Sequence, residues 1–206
     1  MLTLYYAPGT CALASHLSLE HAKADYVAQR IDFRSEQQRS PAYLQINPKG
    51  RVPALATKDG VLTETPALLQ YIAQLHPQSG LAPVDDPFAL ARFNEFNTYL
   101  CATVHVNHAH GRRAYRWADE PAAIEAMQRK VPQTMSESFR MVEDHWLRGP
   151  WVFGERMTAS DYYLFTIATW LQGDGVDVKQ FPKVYALYER LMADALVQRV
   201  LAAEKA

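Results

Sequence analysis

Apolar residues in the first part of the chain change between two spacings, and each spacing predicts a different element. Short runs rich in β-branched and aromatic residues lie at 2–6 and 26–31, and such runs are typical of strands. Between them, from Cys11 onwards, apolar residues recur at helical spacing. The sequence therefore predicts a strand, a helix and a second strand, and the two strands are expected to be parallel because a helix joins them.

The stretch 47–65, NPKGRVPALATKDGVLTET, predicts a β-hairpin. An Asn-Pro turn opens it, and an Asp-Gly pair is a strong hairpin signal between strands at 52–55 and 61–63. Pro53 has no N–H to donate to a sheet. This edge is therefore expected to face something other than another strand, for example a peptide ligand.

A helix is predicted directly after the hairpin, with Thr65 as its N-cap and Pro66 as its first residue. Pro77 ends this helix. An open strand edge and a helix N-terminus then lie one hairpin apart, and together they suit the backbone and the carboxylate of a small peptide. The apolar stripe of the helix is formed by Leu68, Leu69, Ile72 and Leu75.

Beyond the segment QSGLAPVDD the strand signals stop, and only helices are predicted. A kink is expected at Pro132, and Thr158 with Asp161 has the form of a capping box. A break is expected near Asp194. The helices are placed at about 87–110, 120–147, 159–172 and 183–203.

These elements predict two domains of different class. We expect an α/β thioredoxin-like domain over 1–77, a linker over 78–86 and an all-α domain over 87–206. The core of the second domain is expected to include Cys101, Met141, Trp146, Trp151 and Trp170.

Composition limits the classes of function. The chain has 206 residues, of which 49% are hydrophobic, and its net charge of -1 gives no reason to expect nucleic acid or an anionic membrane as a partner. No apolar run is long enough to span a bilayer. Cys11 and Cys101 are the only cysteines, which is too few for a disulfide framework and favours a reducing, cytoplasmic compartment.

Several motifs together resemble one protein family. NPKGRVPAL, LTETPALLQYIA and TASDYYLF are similar to segments of the cytosolic glutathione transferases, and the resemblance extends over essentially the whole chain. YYAPGTCALASH resembles the bacterial beta class, in which a cysteine opens the first helix. The resemblance implies glutathione as co-substrate, a role in detoxification, no metal, and a homodimer formed between the first domain of one subunit and the second domain of the other.

Cys11 is the first catalytic candidate. A helix N-terminus favours a thiolate, and such positions lower the pKa of a cysteine to ~3.5–7.5. A small buried residue is the alternative interpretation. The resemblance implies that Cys11 contacts the glutathione sulfur and can form a mixed disulfide with it. The hydroxyl of Thr10 is the second candidate, and Tyr6 is the third because other classes use an early tyrosine.

The resemblance also implies which residues hold glutathione. Val52, before a cis Pro53, pairs its backbone with the cysteinyl part as an added strand. The Glu64 carboxylate meets the γ-glutamyl ammonium, while Thr65 and the helix N–H groups receive the γ-glutamyl carboxylate. Arg34 lies where relatives carry a basic residue towards the glycine end. A turn proline, a helix cap and a surface arginine are the simpler interpretations.

His105 is the catalytic candidate of the second domain, because the resemblance implies a histidine close to the sulfur, where a donor would stabilise a thiolate. A polar cluster follows it. His108, Arg112 and Arg113, together with Tyr6, form the predicted electrophile site, and the arginines indicate an acidic substrate or hold the chain after the helix. A metal site is disfavoured, because the histidine spacing is poor for one helix face and no carboxylate joins the cluster.

Three functions stay open at this point. The first is conjugation, in which a bound glutathione thiolate attacks a small hydrophobic or acidic electrophile, and this is the function we predict. The second is a glutathione-dependent thiol–disulfide oxidoreductase or peroxidase that uses Cys11 in a mixed disulfide. The third is a non-catalytic member that binds ligands or partner proteins, although such a member has no need of a peptide-binding edge.

Overall fold

A mixed sheet forms the centre of the first domain in the computed structural model, which describes residues 1–205. Within those residues its strands lie in the spatial order β2-β1-β3-β4. β1 and β2 are parallel, as predicted, and β1 pairs with β3 and β3 with β4 in antiparallel fashion. The strands are β1 (Leu2–Tyr6), β2 (Tyr26–Arg30), β3 (Ala54–Thr57) and β4 (Gly60–Thr63).

Helices make up most of the remaining regular structure of the described chain. The first domain contributes α1 (Ala12–His21), α2 (Pro41–Ile46) and α3 (Thr65–Leu75). The second part contains α4 (Pro87–Tyr99), α5 (His105–Arg112), α6 (Pro121–Met141), α7 (Ala159–Ala168), α8 (Pro182–Met192) and α9 (Ala195–Lys205). α3 ends and α4 begins close to the predicted linker, and the exact limits of the domains stay a prediction.

The helix α1 is buried on nearly all sides. Every residue over 12–19 is buried, because α1 packs against β1, α3, α7 and α9. Two of these neighbours belong to the second part of the chain, so α1 is a central element shared by both domains.

One continuous helical segment of the second part of the chain contains His105 and the polar residues that follow it. A turn of π-helix at Leu100–Val104 joins α4 directly to α5, and the segment ends at Arg112 rather than before it. A second π-helical turn, Val142–Trp146, follows α6, and Pro132 lies inside α6. π-helical turns place one extra residue in a turn, and they occur often at functional sites.

Two residues that were predicted to be buried are exposed, and one strand begins later than predicted. Leu75 is 47% exposed and Met141 is 44% exposed, so neither belongs to the core. β3 begins at Ala54 and not at Val52, since the intervening proline has no N–H for the ladder. The predicted break near Asp194 is present between α8 and α9.

Hydrogen bonds tie the second part of the chain to the first domain and to the linker. The indole N–H of Trp170 donates to the carbonyl of Gly9 at 3.2 Å, and the N–H of Ala159 donates to the carbonyl of Leu81 at 2.8 Å. His16 Nδ1 lies 2.9 Å from Glu204 Oε1, in the core. In the part of the chain that the structure describes, every helix is too short or too polar to cross a membrane.

Candidate active site

The cleft between the domains contains two adjoining pockets that share one wall. The smaller, the Thr65 pocket, has a volume of about 150 Å³ and is lined by residues that include Val52, Glu64 and Thr65. The larger, the Trp170 pocket, has a volume of about 750 Å³. Cys11 and His105 line both.

Two side chains stabilise the turn before Val52 by hydrogen bonds to the same backbone carbonyl. The Tyr43 hydroxyl and the Asn47 amide each donate to the carbonyl of Arg51 at 2.7 Å. Gly50 has φ +60°, and a Cβ there would lie 3.1 Å from the carbonyl oxygen of Gln38, so only glycine suits this turn. The turn thereby presents the backbone of Val52 to the cleft.

The peptide Val52-Pro53 is cis, as the resemblance implies. The carbonyl of Val52 accepts from the Cys11 thiol at 3.7 Å. Within residues 1–205 the Val52 N–H has no hydrogen-bond partner. An extended ligand can therefore pair with this N–H without displacing anything.

The N-terminus of α3 opens into the Thr65 pocket. Glu64, not Thr65, is the N-cap, and Thr65 is the first helical residue, so the predicted cap is wrong by one position. Glu64 has φ 72°, a strained conformation for a residue other than glycine. Its carboxylate is exposed and binds the ammonium group of Lys49. The buried Thr65 side chain and the free N–H groups of the helix face the same space.

Cys11 is the N-cap of α1, but its thiol is not acidic. Burial raises the pKa of Cys11 to about 11, because the thiolate loses its hydration, while the Thr65 hydroxyl and Arg113 oppose this only in part. The expectation of a lowered pKa is therefore wrong for the protein without ligand. Cys11 is a neutral thiol that can donate a hydrogen bond.

His105 begins α5 and lies against the ring of Trp170, with the centroids 4.9 Å apart. Burial, and next the charge of Arg113, lower the pKa of His105 to about 4. The imidazole is neutral at pH 7 and carries one N–H. It faces Cys11 across the cleft, since both line both pockets.

His108 is held by a carboxylate that the sequence interpretation did not include. Its Nδ1 lies 2.8 Å from Asp174 Oδ2, and its ring stacks on Trp170 with centroids 4.5 Å apart. The statement that no carboxylate joins the histidine cluster is thus wrong. Residues 1–205 contain no group of three or more His, Cys, Asp or Glu side chains placed to hold a metal ion.

Comparisons with known proteins agree with this arrangement. The family description "Glutathione S-transferase, N-terminal domain" matches residues 1–74, and "Glutathione S-transferase, C-terminal domain" matches residues 106–195. A glutathione S-transferase of Xanthomonas campestris pv. campestris is 30% identical over 203 residues, which cover 98% of each chain. The chain belongs to the glutathione S-transferase family.

Solved structures support the same assignment. A glutathione transferase homologue from Sulfitobacter, with bound glutathione, is 45% identical, covers 98% of each chain and has a TM-score of 0.94. The beta-class glutathione S-transferase of Sphingomonas chungbukensis is 26% identical, with 98% of each chain covered and a TM-score of 0.83. The predicted family and the predicted fold, a thioredoxin-like domain followed by an all-α domain, are confirmed.

Three predicted site residues of this transferase lie away from both pockets. Arg34 is exposed in the loop after β2, where its N–H bonds Asp32. Arg112 is exposed beside Arg113, which does line the cleft. Tyr6 is buried against the ring of His16, with centroids 5.1 Å apart. None of the three is among the residues that line the cleft.

Thr10 lines the Trp170 pocket, but its hydroxyl is already engaged. It donates to the carbonyl of Ala7 at 2.7 Å and accepts from the N–H of Ala12 at 3.3 Å. These bonds shape the turn that leads into α1. Thr10 therefore has a structural role in the turn that precedes Cys11.

Sequence reasoning missed several residues of the transferase cleft. Tyr163, Cys101 and Arg51 line the Thr65 pocket, and Trp170 lines the larger one. The Tyr163 hydroxyl is buried without a hydrogen-bond partner of ordinary geometry within residues 1–205, although Thr65 lies near it. Trp170 is 9% exposed and belongs to the core, as expected, and Cys101 is partly buried against the core; the fold shows that both also line a pocket.

Proposed function

We propose that this transferase binds glutathione in the Thr65 pocket and conjugates its sulfur to an electrophile held in the Trp170 pocket. One observation carries the proposal: the unpaired N–H of Val52 and the N-terminus of α3 face the same small pocket beside Cys11. A γ-linked tripeptide needs both groups, one for its backbone and one for its carboxylate.

Glutathione would bind as a short additional strand. The backbone of Val52 pairs with the cysteinyl part, whose N–H takes the place of the Cys11 thiol at the Val52 carbonyl. The γ-glutamyl carboxylate meets Thr65 and the N–H groups of α3. The γ-glutamyl ammonium meets Glu64, whose carboxylate is exposed and shared with Lys49.

The thiolate of glutathione would be stabilised by neutral donors and nearby cations. The single S–H of Cys11 would turn from the Val52 carbonyl to the glutathione sulfur and donate there, the His105 imidazole would donate a second hydrogen bond, and Arg113 adds positive charge. A model thiol has a pKa near ~8.5, so lowering it by about one unit corresponds to ~1.4 kcal/mol in favour of the thiolate. Positioning of the electrophile must supply much of the remaining acceleration.

The high pKa of Cys11 favours conjugation over the thiol–disulfide alternative. A nucleophilic cysteine has to ionise near neutral pH, and burial opposes that here. Reversible chemistry at Cys11 would therefore need a bound group that stabilises its thiolate. We further propose a cytoplasmic, detoxifying homodimer, which agrees with two unpaired cysteines and with the resemblance to the beta class.

The proposal is tested by titrating glutathione into the protein in a calorimeter. Thr65→Val should weaken binding about tenfold, because it removes one hydrogen bond to a charged group. Thr3→Val, a change on β1 outside both pockets, should leave the affinity unchanged. Absence of binding to the wild-type protein at millimolar glutathione, or equal binding by Thr65→Val, would overturn the proposal.

A further inference from the structure

The walls of the Trp170 pocket carry positive charge without acidic residues. No aspartate or glutamate is among the described residues that line it. The cations on its walls are Arg39, Lys49, Arg51, Arg113 and Arg116. An uncharged hydrophobic substrate does not require such a surface, so the distribution of charge bears on the class of electrophile.

Three of these cations have no acidic partner. Arg39 lies 3.9 Å from Glu36, and Lys49 pairs with Glu64. Within residues 1–205, no carboxylate lies within 4.0 Å of Arg51, Arg113 or Arg116. A pocket wall that gathers uncompensated cations attracts an anionic ligand.

The same three arginines act on one partly buried group, the imidazole of His105. Arg51, Arg113 and Arg116 each act on His105 and disfavour its protonation. Arg113 is itself partly buried, and its pKa is lowered first by burial and next by the charge of Arg116. A negative group bound near them would offset their mutual repulsion.

Glutathione does not account for all of this charge. Its γ-glutamyl carboxylate is assigned to α3, and Lys49 and Arg51 on the first-domain wall are cations available for its glycine carboxylate. Arg113 and Arg116 lie on the second-domain wall, at the end of α5 and in the turn that follows. Both line the Thr65 pocket as well as the Trp170 pocket, so they lie where the second substrate meets the glutathione sulfur. No glutathione carboxylate is assigned to them, so they are available for a carboxylate of the second substrate.

Flat side chains lie beside these two arginines. The rings of His105 and Trp170 and the stacked ring of His108 line the pocket. His108 covers one face of Trp170, so the surface offered to a planar group comes from the remaining ring atoms of Trp170 and from His105. The pocket volume of about 750 Å³ is in the range that small-molecule sites have.

We propose that the electrophile is a planar, conjugated molecule that bears a carboxylate, with the carboxylate bound by Arg113 and Arg116 and the ring against Trp170. This inference rests on the proposed function. Arginine forks bind carboxylates through paired hydrogen bonds, which fixes the orientation of the ring as well as its affinity. The carbon that reacts can then face the glutathione sulfur beside Cys11.

The test compares a chlorodinitrobenzoate with the matching chlorodinitrobenzamide, which has the same ring and leaving group but no charge. In both, the glutathione thiolate forms a C–S bond, and chloride leaves with the electrons of the C–Cl bond. For each substrate, kcat/KM is divided by the uncatalysed rate, so intrinsic reactivity cancels. The wild-type protein should favour the benzoate by about tenfold or more.

Arginine variants locate the source of the preference. Arg116→Gln and Arg113→Gln should each lower the corrected kcat/KM for the benzoate about tenfold relative to that for the benzamide. Arg116→Lys keeps the charge and should restore part of the preference. Arg112→Gln is the matched control, because this neighbouring arginine is exposed and lies outside both pockets.

The outcomes separate this inference from the proposed function. Calorimetry on each variant reports glutathione binding independently of the electrophile. Normal glutathione binding with equal corrected rates for the two substrates overturns the inference alone. An equal fall in the corrected kcat/KM for both substrates in Arg113→Gln and Arg116→Gln also overturns the inference alone. Loss of glutathione binding in the wild-type protein overturns the proposed function as well.

Discussion

The residues closest to the proposed sulfur position are uncharged because they are buried. Burial raises the pKa of Cys11 to about 11 and lowers that of His105 to about 4, so both are neutral at pH 7. A helix N-terminus pulls a thiol the other way, towards the thiolate, but the lost hydration outweighs it here. Each neutral group can donate one hydrogen bond, which is what a thiolate ligand needs.

Replacement of Cys11 tests this assignment. Cys11→Ala should keep conjugation measurable, while the pKa of bound glutathione rises by about one unit, since one lost hydrogen bond to a charged group is worth about 1.5 kcal/mol. The ultraviolet absorbance of the thiolate, followed against pH with glutathione bound, measures this pKa. Cys11→Ser keeps a donor and should stay close to the wild-type value.

The opposite result has a clear meaning. If Cys11→Ala abolishes turnover and the wild-type protein accumulates a Cys11–glutathione disulfide in mass spectra, Cys11 is a nucleophile. The thiol–disulfide alternative would then replace conjugation as the proposed function.

Which side chains reach the cleft was only partly predictable. Cys11 follows from its position at the start of a helix after a turn, whereas Val52 and His105 follow from the resemblance to the family. Arg112 and Arg113 are adjacent in sequence, yet only the second lines the cleft. Successive residues of a helix point about 100° apart, so a basic run alone does not decide which member is used.

At the scale of elements, the π-helical turn Leu100–Val104 was not predictable. It brings Cys101 to the Thr65 pocket and directly precedes His105. An extra residue in one turn of a helix leaves the apolar spacing almost unchanged. The packing of neighbouring helices therefore decides whether the turn forms.

The N-terminus of α7, by contrast, was predicted from its capping residues. Asp161 is fully buried and accepts from the N–H of Thr158 at 2.7 Å and from the N–H of Val152 at 2.8 Å. Although burial raises its pKa to about 6, the carboxyl group is ionised at neutral pH. One side chain thus joins the helix to the preceding loop.

Asp161→Ala should lower the free energy of unfolding by about 3 kcal/mol or more, because two buried N–H groups lose their acceptor. Urea denaturation followed by circular dichroism measures the change. Asp86→Ala is the matched control, since Asp86 caps α4 through the N–H groups of Phe88 and Ala89 but is exposed. The control should cost only about 1 kcal/mol. An equal loss of unfolding free energy in the two variants would show that the burial of Asp161 does not cause the larger effect.

At the scale of the whole molecule, the last helix returns to the first domain. Glu204, on α9, is 3% exposed and lies 2.9 Å from Nδ1 of His16 on α1, which is 4% exposed. Tyr6 and Tyr26 pack beside the same histidine ring. Tyr6, once a candidate for the cleft, therefore belongs to the contact between the domains.

Breaking this contact should destabilise both domains together. Glu204→Ala leaves a buried histidine without its acceptor and should lower the free energy of unfolding by roughly 3 kcal/mol. The four tryptophans all lie beyond residue 116, so their fluorescence reports the second domain, whereas circular dichroism reports both. The two signals should move to the same lower denaturant concentration.

Glu125→Ala is the control for this experiment. Glu125 pairs with Arg129 on the exposed face of α6, and such surface pairs contribute about 0.5 kcal/mol. A tryptophan transition that stays in place in Glu204→Ala, while circular dichroism shifts, would show that the domains unfold independently.

The sequence by itself determined the type and order of the elements, the two-domain fold and the family. These depend on spacing, turn residues and motifs, which are local along the chain. The tertiary structure decided the ionisation of Cys11 and His105, the pairing of His108 with Asp174 and the choice of arginines that line the cleft. Each of those depends on burial and on neighbours from distant parts of the chain, and only packing brings them together.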